Sequence, residues 1–427
     1  MIHEYIVLFF LTFGNYLNYI DRSLTFTYLP QFGEEFNMTK TDQGILASSF
    51  LGGYVIFSIV FCIMAQQMKT TKVVLIGCVI WSLSCLLMFF GKKELLYPAR
   101  ILSGVGEAAY QSLIPAFIEK NFNQEKVPIY LGIFFSGIYV GTSIGIAIGG
   151  ITYNVWRYAY FVELISMLFN IVFLAIYIKY EQFQKISITC HQFKKILYNI
   201  FTNKFWWACT TGYSFYNFTS GAVNTWLPSF IKDKFPTYKF DELQITLGIV
   251  IMVSSLISAC LSGIPVKYLS KKFPDYYLSI NGFFIVASFL LSLAPIYISL
   301  NVNLNWAGFV TCVGFFILFL TATTLPINLI LLDLVDDSSK NYSMALSICF
   351  IHLIGDIPSP IIVGKIWDAT QNATLAIQYS TIGLLISILI YSFVAIFLYK
   401  KNKNDNIGEN LLDNDSLSEE YKMIDDL

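Results

Sequence analysis

Residues Asn15–Pro30 read NYLNYIDRSLTFTYLP. They lie inside an apolar run from near Tyr5 to near Leu29. About 20 such residues cross the hydrocarbon core of a bilayer. Asp21 and Arg22 stand well inside that run. A charge at the centre of an inserted helix costs roughly 2.5–3.5 kcal/mol, so it persists where it faces protein or a water-filled cavity. The two residues neutralise each other, or Arg22 snorkels to an interface; on the alternative reading, Asp21 lines a pathway through the membrane.

The rest of the chain is of one kind with this stretch. Of 427 residues, 56% are hydrophobic, 17% aromatic and only 13% charged, against about 25% charged in soluble domains. The composition predicts an all-α membrane protein. A net charge of −1 speaks against a nucleic-acid partner. The first run lacks a charged n-region and a small-residue cleavage site, which predicts a retained signal-anchor. The 8 cysteines form no CxxC or Cys/His cluster, so neither a zinc site, a disulfide framework nor a cofactor is expected.

Twelve spans are predicted, near Tyr5–Leu29, Gly44–Ala65, Val73–Phe90, Leu95–Ile118, Val127–Ile151, Trp156–Ile178, Phe205–Ile231, Leu243–Val266, Tyr276–Ile298, Leu304–Leu332, Tyr342–Ile366 and Leu375–Tyr399. They divide the chain into a six-helix bundle (1–178), a basic amphipathic cytoplasmic linker (179–204), a second six-helix bundle (205–399) and an acidic disordered cytoplasmic tail (400–427). The lysine and arginine bias of the loops places both termini in the cytoplasm. The halves resemble each other. Leu29-Pro30-Gln31-Phe32 is echoed by Leu227-Pro228-Ser229-Phe230, and Gly141–Gly150 can be laid on Gly355–Gly364. In that register Asp21 and Arg22 fall opposite Thr219 and Ser220, so the charge belongs to one half. Repeated bundles with a central site describe a secondary transporter.

Three further places carry chemistry. In RILSGVGEAAY, Arg100 and Glu107 are about two helical turns apart on one face, and Gly104 and Gly106 admit a close-packed helix or a ligand. Only Arg22, Arg100 and Arg157 are arginine in a chain with 27 basic residues. The guanidinium grips phosphate or carboxylate bidentately and keeps its charge when desolvated. In HLIGDIPSP, His352 and Asp356 share a face, while Pro358 and Pro360 interrupt the helix. Asp21, Glu107, His352 and Asp356 are the candidate proton carriers; a hydrogen-bonded pair bracing a broken helix accounts for the last two equally well. Tyr19, Tyr110, Asn217, Asn224 and Trp226 are candidate cavity residues, or simply helix-packing ones. Arg22 is read as a structural or gating residue with Gly104, Gly106, Pro358 and Pro360. Glu163 is read as a packing or interface residue. Neither a catalytic set nor a Walker sequence is present, so the chain is read as a non-enzyme driven by an ion gradient.

These residues resemble the major facilitator superfamily, and more closely its Spinster-like group, over most of the chain to about Tyr399. The resemblance is carried by NYIDR (Asn18–Arg22), by RILSGVGEAAY (Arg100–Tyr110) with Pro115, and by HLIGDIPSPIIVG (His352–Gly364). It implies rocker-switch transport of a lysophospholipid or sphingoid lipid, with Asp21 and Glu107 as protonation or gating acids and Arg100 engaging a headgroup phosphate. It breaks at Cys62–Lys72, where Gln66 and Gln67 replace the Asp and Arg of the family's loop, and at Tyr139, where the family tends to have proline. The expectation is a monomeric, proton-coupled, multi-pass lipid transporter of a lysosomal, endosomal or plasma membrane. A transporter of small organic anions or sugar acids, and a non-transporting membrane sensor, are the alternatives.

Overall fold

Apolar runs too long for the turns of a soluble domain become helices here, since in lipid every backbone N–H and C=O must bond within its own segment. A computed structural model describes residues 2–177, 190–336 and 339–425, with side chains over 4–177, 194–336, 339–340 and 342–400. Twelve crossings form two six-helix bundles. The first contains α1 (Ile2–Phe36), α2 (Lys40–Ala65), α3 (Thr70–Phe90), α4 (Lys93–Asn121), the broken crossing α5 (Val127–Phe135) plus α6 (Gly137–Ile151), and α7 (Trp156–Tyr177). The second contains α9 (Lys204–Lys234), α10 (Phe240–Lys272), α11 (Tyr277–Asn301), α12 (Trp306–Thr321) plus α13 (Thr324–Asp333), α14 (Lys340–Phe350) plus α15 (Pro358–Thr370), and α16 (Ala373–Asp425). Between them lies α8 (Cys190–Thr202). The expected linker 179–204 is described only from residue 190 onward; 178–189 lie outside the described residues.

Composition alone separates the helices into two kinds. Among the described residues, 9 spans are long and apolar enough to cross a membrane. Helices α1, α4 and α9 fall short of that measure; they carry Asp21 and Arg22, Arg100 and Glu107, and Asn217 and Asn224 among other polar residues. The most polar crossings are therefore the ones that meet in the interior. Beyond the last crossing α16 runs on as helix to Asp425. That stretch has no proline, and a helix already nucleated by the preceding crossing propagates at little cost.

The internal repeat is visible in how backbones touch. A Cβ on Gly141 would meet the Tyr16 carbonyl at 2.9 Å, and a Cβ on Gly355 would strike the Ser214 carbonyl. The register that pairs Pro30 with Pro228 also pairs Tyr16 with Ser214, so these are equivalent contacts in the two halves. Glycines at 137, 141, 145 and 149 recur every four residues and let α6 lie directly on α1.

The two bundles are joined at the end remote from the chain termini. There Asp368 on α15 accepts hydrogen bonds from Lys40 N (2.9 Å), Thr41 N (2.7 Å) and Thr41 Oγ1 (2.6 Å) at the start of α2. Lys232 of α9 donates to Glu34 (2.5 Å) and to the Tyr153 hydroxyl (2.8 Å). Deeper in, Ser48 donates to the Ile357 carbonyl at 2.7 Å. A carboxylate at a helix N-terminus meets free N–H groups and the positive end of the dipole. Losing such a cap typically destabilises by about 1 kcal/mol. Asp368→Ala should therefore shift the halves toward separation at this end by about fivefold in population. Spin labels at Lys92 and Ala369 check this, with a longer distance component growing in the variant; an unchanged distribution means Asp368 does not hold the junction.

Candidate functional site

Close backbone packing assembles the site. A Cβ on Gly104 would strike the Phe50 carbonyl, and one on Gly106 would meet the Gly77 carbonyl at 2.6 Å. These two glycines thus draw α4 onto α2 and α3, and it is helices rather than a ligand that approach them. The consequence is that polar groups of α1, α4 and α7 share a dry interior with Phe50 of α2.

Two cross-helix ion pairs lie there. Arg100 Nη1 donates to Asp21 Oδ2 at 2.6 Å, with both side chains almost fully buried. Arg22 Nε donates to Glu107 Oε2 at 3.0 Å. The Ser103 hydroxyl sits between the two acids, 2.5 Å from Asp21 Oδ2 and 3.0 Å from Glu107 Oε1. One hydroxyl has one proton, so it serves one carboxylate at a time. The Phe50 ring lies 4.6 Å from the Arg22 guanidinium and 5.0 Å from that of Arg100, and Tyr19 and Tyr54 each face Arg22 at 5.0 Å. Aromatic faces attract cations most when desolvated.

A cavity of about 200 Å³ lies between the halves beside this network. Its polar lining includes Arg22, Tyr19, Ser23, Thr142, Asn224, His352 and Asp356; Phe26, Phe50, Leu51, Ile138, Ile146, Leu227, Leu247 and Ile251 supply the apolar part. Arg22 forms part of its wall, and its buried Nη2 has no hydrogen-bond partner. His352 Nδ1 and Asp356 Oδ2 are 2.7 Å apart, and Tyr54 of the other half stands edge-on to the His352 ring.

Sequence reasoning brought together some of these groups and scattered others. Tyr19, Asn224, His352 and Asp356 do line the cavity, as does Arg22. Arg100 was expected to engage substrate, but it is 1% exposed and spends its Nη1 on Asp21. Tyr110, expected at the cavity wall, is fully buried and donates to the Phe10 carbonyl at 3.2 Å. Trp226 is likewise buried, its indole donating to the Pro360 carbonyl at 3.1 Å. Asn217 donates to the Tyr213 carbonyl of its own helix. Asp21 and Glu107 lie behind the cavity wall, reached through Arg22. Pro358 and Pro360 interrupt the α-helical ladder as expected of them. The chain makes a π-helical turn over Ile351–Asp356, closed by Ile357 N to His352 O at 2.9 Å, before α15 starts at Pro358. Pro360 has no N–H for the Asp356 carbonyl, and the Ser359 hydroxyl meets that carbonyl at 3.5 Å.

Comparison with known proteins agrees with the architecture. The family profile described as Major Facilitator Superfamily matches residues 11–362. The chain is 26% identical over 404 residues to a probable sphingolipid transporter, spinster homolog 2 of Arabidopsis thaliana, covering 88% of this chain and 80% of that one. It is 27% identical over 379 residues to the Drosophila melanogaster protein spinster, covering 85% and 62% of the two chains. Among solved structures, a bacterial homolog of the human lysosomal transporter Spinster, inward-facing and unoccupied, superposes with a TM-score of 0.75 at 15% identity, covering 93% of this chain and 98% of that one.

Proposed function

Because the chain belongs to the major facilitator superfamily, in its Spinster-like group, we propose that it carries an amphipathic lipid with an anionic headgroup, a lysophospholipid or sphingoid phosphate, by proton-coupled rocker-switch transport. The observation that carries this reading is the Arg22 guanidinium at the wall of an aromatic and aliphatic cavity, with a buried Nη2 that no protein group takes. A cavity of about 200 Å³ is smaller than the 300–1,000 Å³ or so of a pocket that swallows a whole drug-sized ligand. It suits a headgroup whose acyl chain leaves between helices. A phosphate taking Nη2 competes with Glu107 for the same guanidinium. Glu107, once released, faces Asp21 across Ser103, and two carboxylates at that separation do not both stay ionised. Headgroup and proton therefore enter the network together, which is the coupling. Junction bonds such as those of Asp368 and Ser48 must then break for the cavity to face the other way.

The test uses the protein in phosphatidylcholine vesicles with labelled lysophosphatidic acid. Wild-type uptake should accelerate under a pH gradient. Glu107→Gln should reduce that acceleration by about tenfold, within the usual range of a coupling free energy, while exchange at equal pH persists. Equal acceleration in both proteins removes Glu107 from the coupling. No flux from the wild type under any gradient removes transport altogether. The apolar lining speaks for a lipid over a small organic anion, and the same vesicles report on that choice when the acyl chain is shortened.

A further inference from the structure

Glu163 on α7 has no place in the scheme above. It is 3% exposed in the interior of the first bundle, and no N–H or O–H group reaches either carboxylate oxygen, which has only the weak donor of the Cys85 thiol beside it. Sequence position alone suggested packing or an interface. Packing does not explain a carboxylate at a fully buried site, where an isolated ion is among the most expensive groups to hold.

Its surroundings are those of the charge network. Its charge acts on Asp21 and Tyr28 of α1 and on Arg100 and Glu107 of α4, the Cys85 thiol of α3 lies beside it, and Tyr160 is one turn before it on α7. Counting the buried ions, three carboxylates share two guanidiniums. Asp21 and Glu107 each have one; Glu163 has none. A single proton brings the set to neutrality. On the other side of the account, Arg100 is satisfied at Nη1 by Asp21 but its Nε has no acceptor. An unpaired donor on α4 and an unpaired acceptor on α7 thus sit in one desolvated cluster.

We propose that Glu163 is a further proton-binding site of the transport cycle: protonated while Arg100 is held by Asp21, and ionised when Arg100 turns to it. The two arrangements have the same groups and different partners, which is what a two-state element requires. When the proton leaves, the negative charge on Glu163 draws the Arg100 guanidinium from Asp21. Asp21 is then released beside Ser103 and Glu107, and the change reaches Arg22 and the cavity through groups already in contact. This inference rests on the proton-coupled reading for its role in transport, but not for the protonation state itself.

Two measurements keep those apart. Infrared difference spectra of the wild-type protein across a pH step report the carbonyl stretch of a protonated carboxylic acid in an apolar site. That band should be present and should disappear in Glu163→Gln; its absence from the wild type, or its survival in the variant, overturns the assignment. In vesicles with labelled lysophosphatidic acid, Glu163→Gln should lose pH-driven uptake and keep exchange at equal pH. Glu163→Asp, which restores a carboxylate, should recover the band and part of the uptake. If the wild type is pH-driven and Glu163→Gln matches it, the site does not turn over and the proposal fails. If the wild type shows the Glu163 band but no pH-driven uptake, the protonation stands and the coupling reading alone falls.

Discussion

Arg100→Leu should be the most damaging single substitution in the chain, lowering stability by about 3–5 kcal/mol, the usual consequence of removing one partner of a buried ion pair. The side chain is 1% exposed. Its loss leaves Asp21 with only the Ser103 hydroxyl and leaves three buried carboxylates facing the single guanidinium of Arg22. Leucine fills most of the volume, so the deficit is electrostatic rather than a cavity. Thermal unfolding in detergent, followed by tryptophan fluorescence, measures it. Lys239→Ala is the control, since the Lys239–Glu242 pair is 77% and 62% exposed and such surface pairs are worth about 0–1 kcal/mol. Asp21→Asn in the Arg100→Leu background should recover part of the loss, because the orphaned charge goes with it. If Arg100→Leu unfolds no earlier than the control, the pair contributes nothing to stability and its retention needs another cause.

Arg22→Lys should act on ligand instead of fold. Lysine keeps the charge but presents a compact ammonium in place of the planar fork that a phosphate grips when it displaces Glu107. It also stacks less well among Tyr19, Phe50 and Tyr54, which surround the guanidinium at 4.6–5.0 Å. A hydrogen bond to a charged group is worth about 1.5–3 kcal/mol, so binding of lysophosphatidic acid should weaken by roughly 10- to 150-fold. Monoacylglycerol of the same chain length carries no phosphate, and its binding should change by no more than about twofold. Calorimetric titration of both ligands separates the outcomes. Equal losses for the two would assign Arg22 to structure.

These two expectations divide roles that the sequence had distributed otherwise. The arginine count set Arg22 and Arg100 apart, because lysine is the default base of this chain. It could not say which of them meets the cavity. Along the sequence Asp21 and Arg22 look like a self-neutralising pair, and Arg100 and Glu107 like another. Helix geometry forbids the first and disfavours the second. Adjacent residues diverge by about 100° around the axis, and positions seven apart are about 10 Å apart along it. The structure cross-pairs them, Asp21 with Arg100 and Arg22 with Glu107. Repeat architecture, span number and the location of the charge in one half were legible because they depend on composition and on period. Partner choice was not, since it depends on how far two glycines let α4 sink toward α2 and α3. Glu163 reads as a packing or interface residue for the same reason: nothing near it in sequence records that α7 is packed against α3 and α1 there. The junction made by Asp368 was equally invisible, joining residues more than 300 positions apart.

The π-helical turn at Ile351–Asp356 has a consequence beyond freeing a carbonyl. In a helix each residue advances the azimuth by about 100°, so a turn that takes one extra residue is a phase shifter. Everything after it is rotated relative to everything before it. His352, Asp356 and Pro360 line the cavity, while Gly364 and Asp368 are carried round to meet α9 and α2. The compass bearing of α15, and with it the docking of the two halves, is set by a single supernumerary residue in the eleventh crossing.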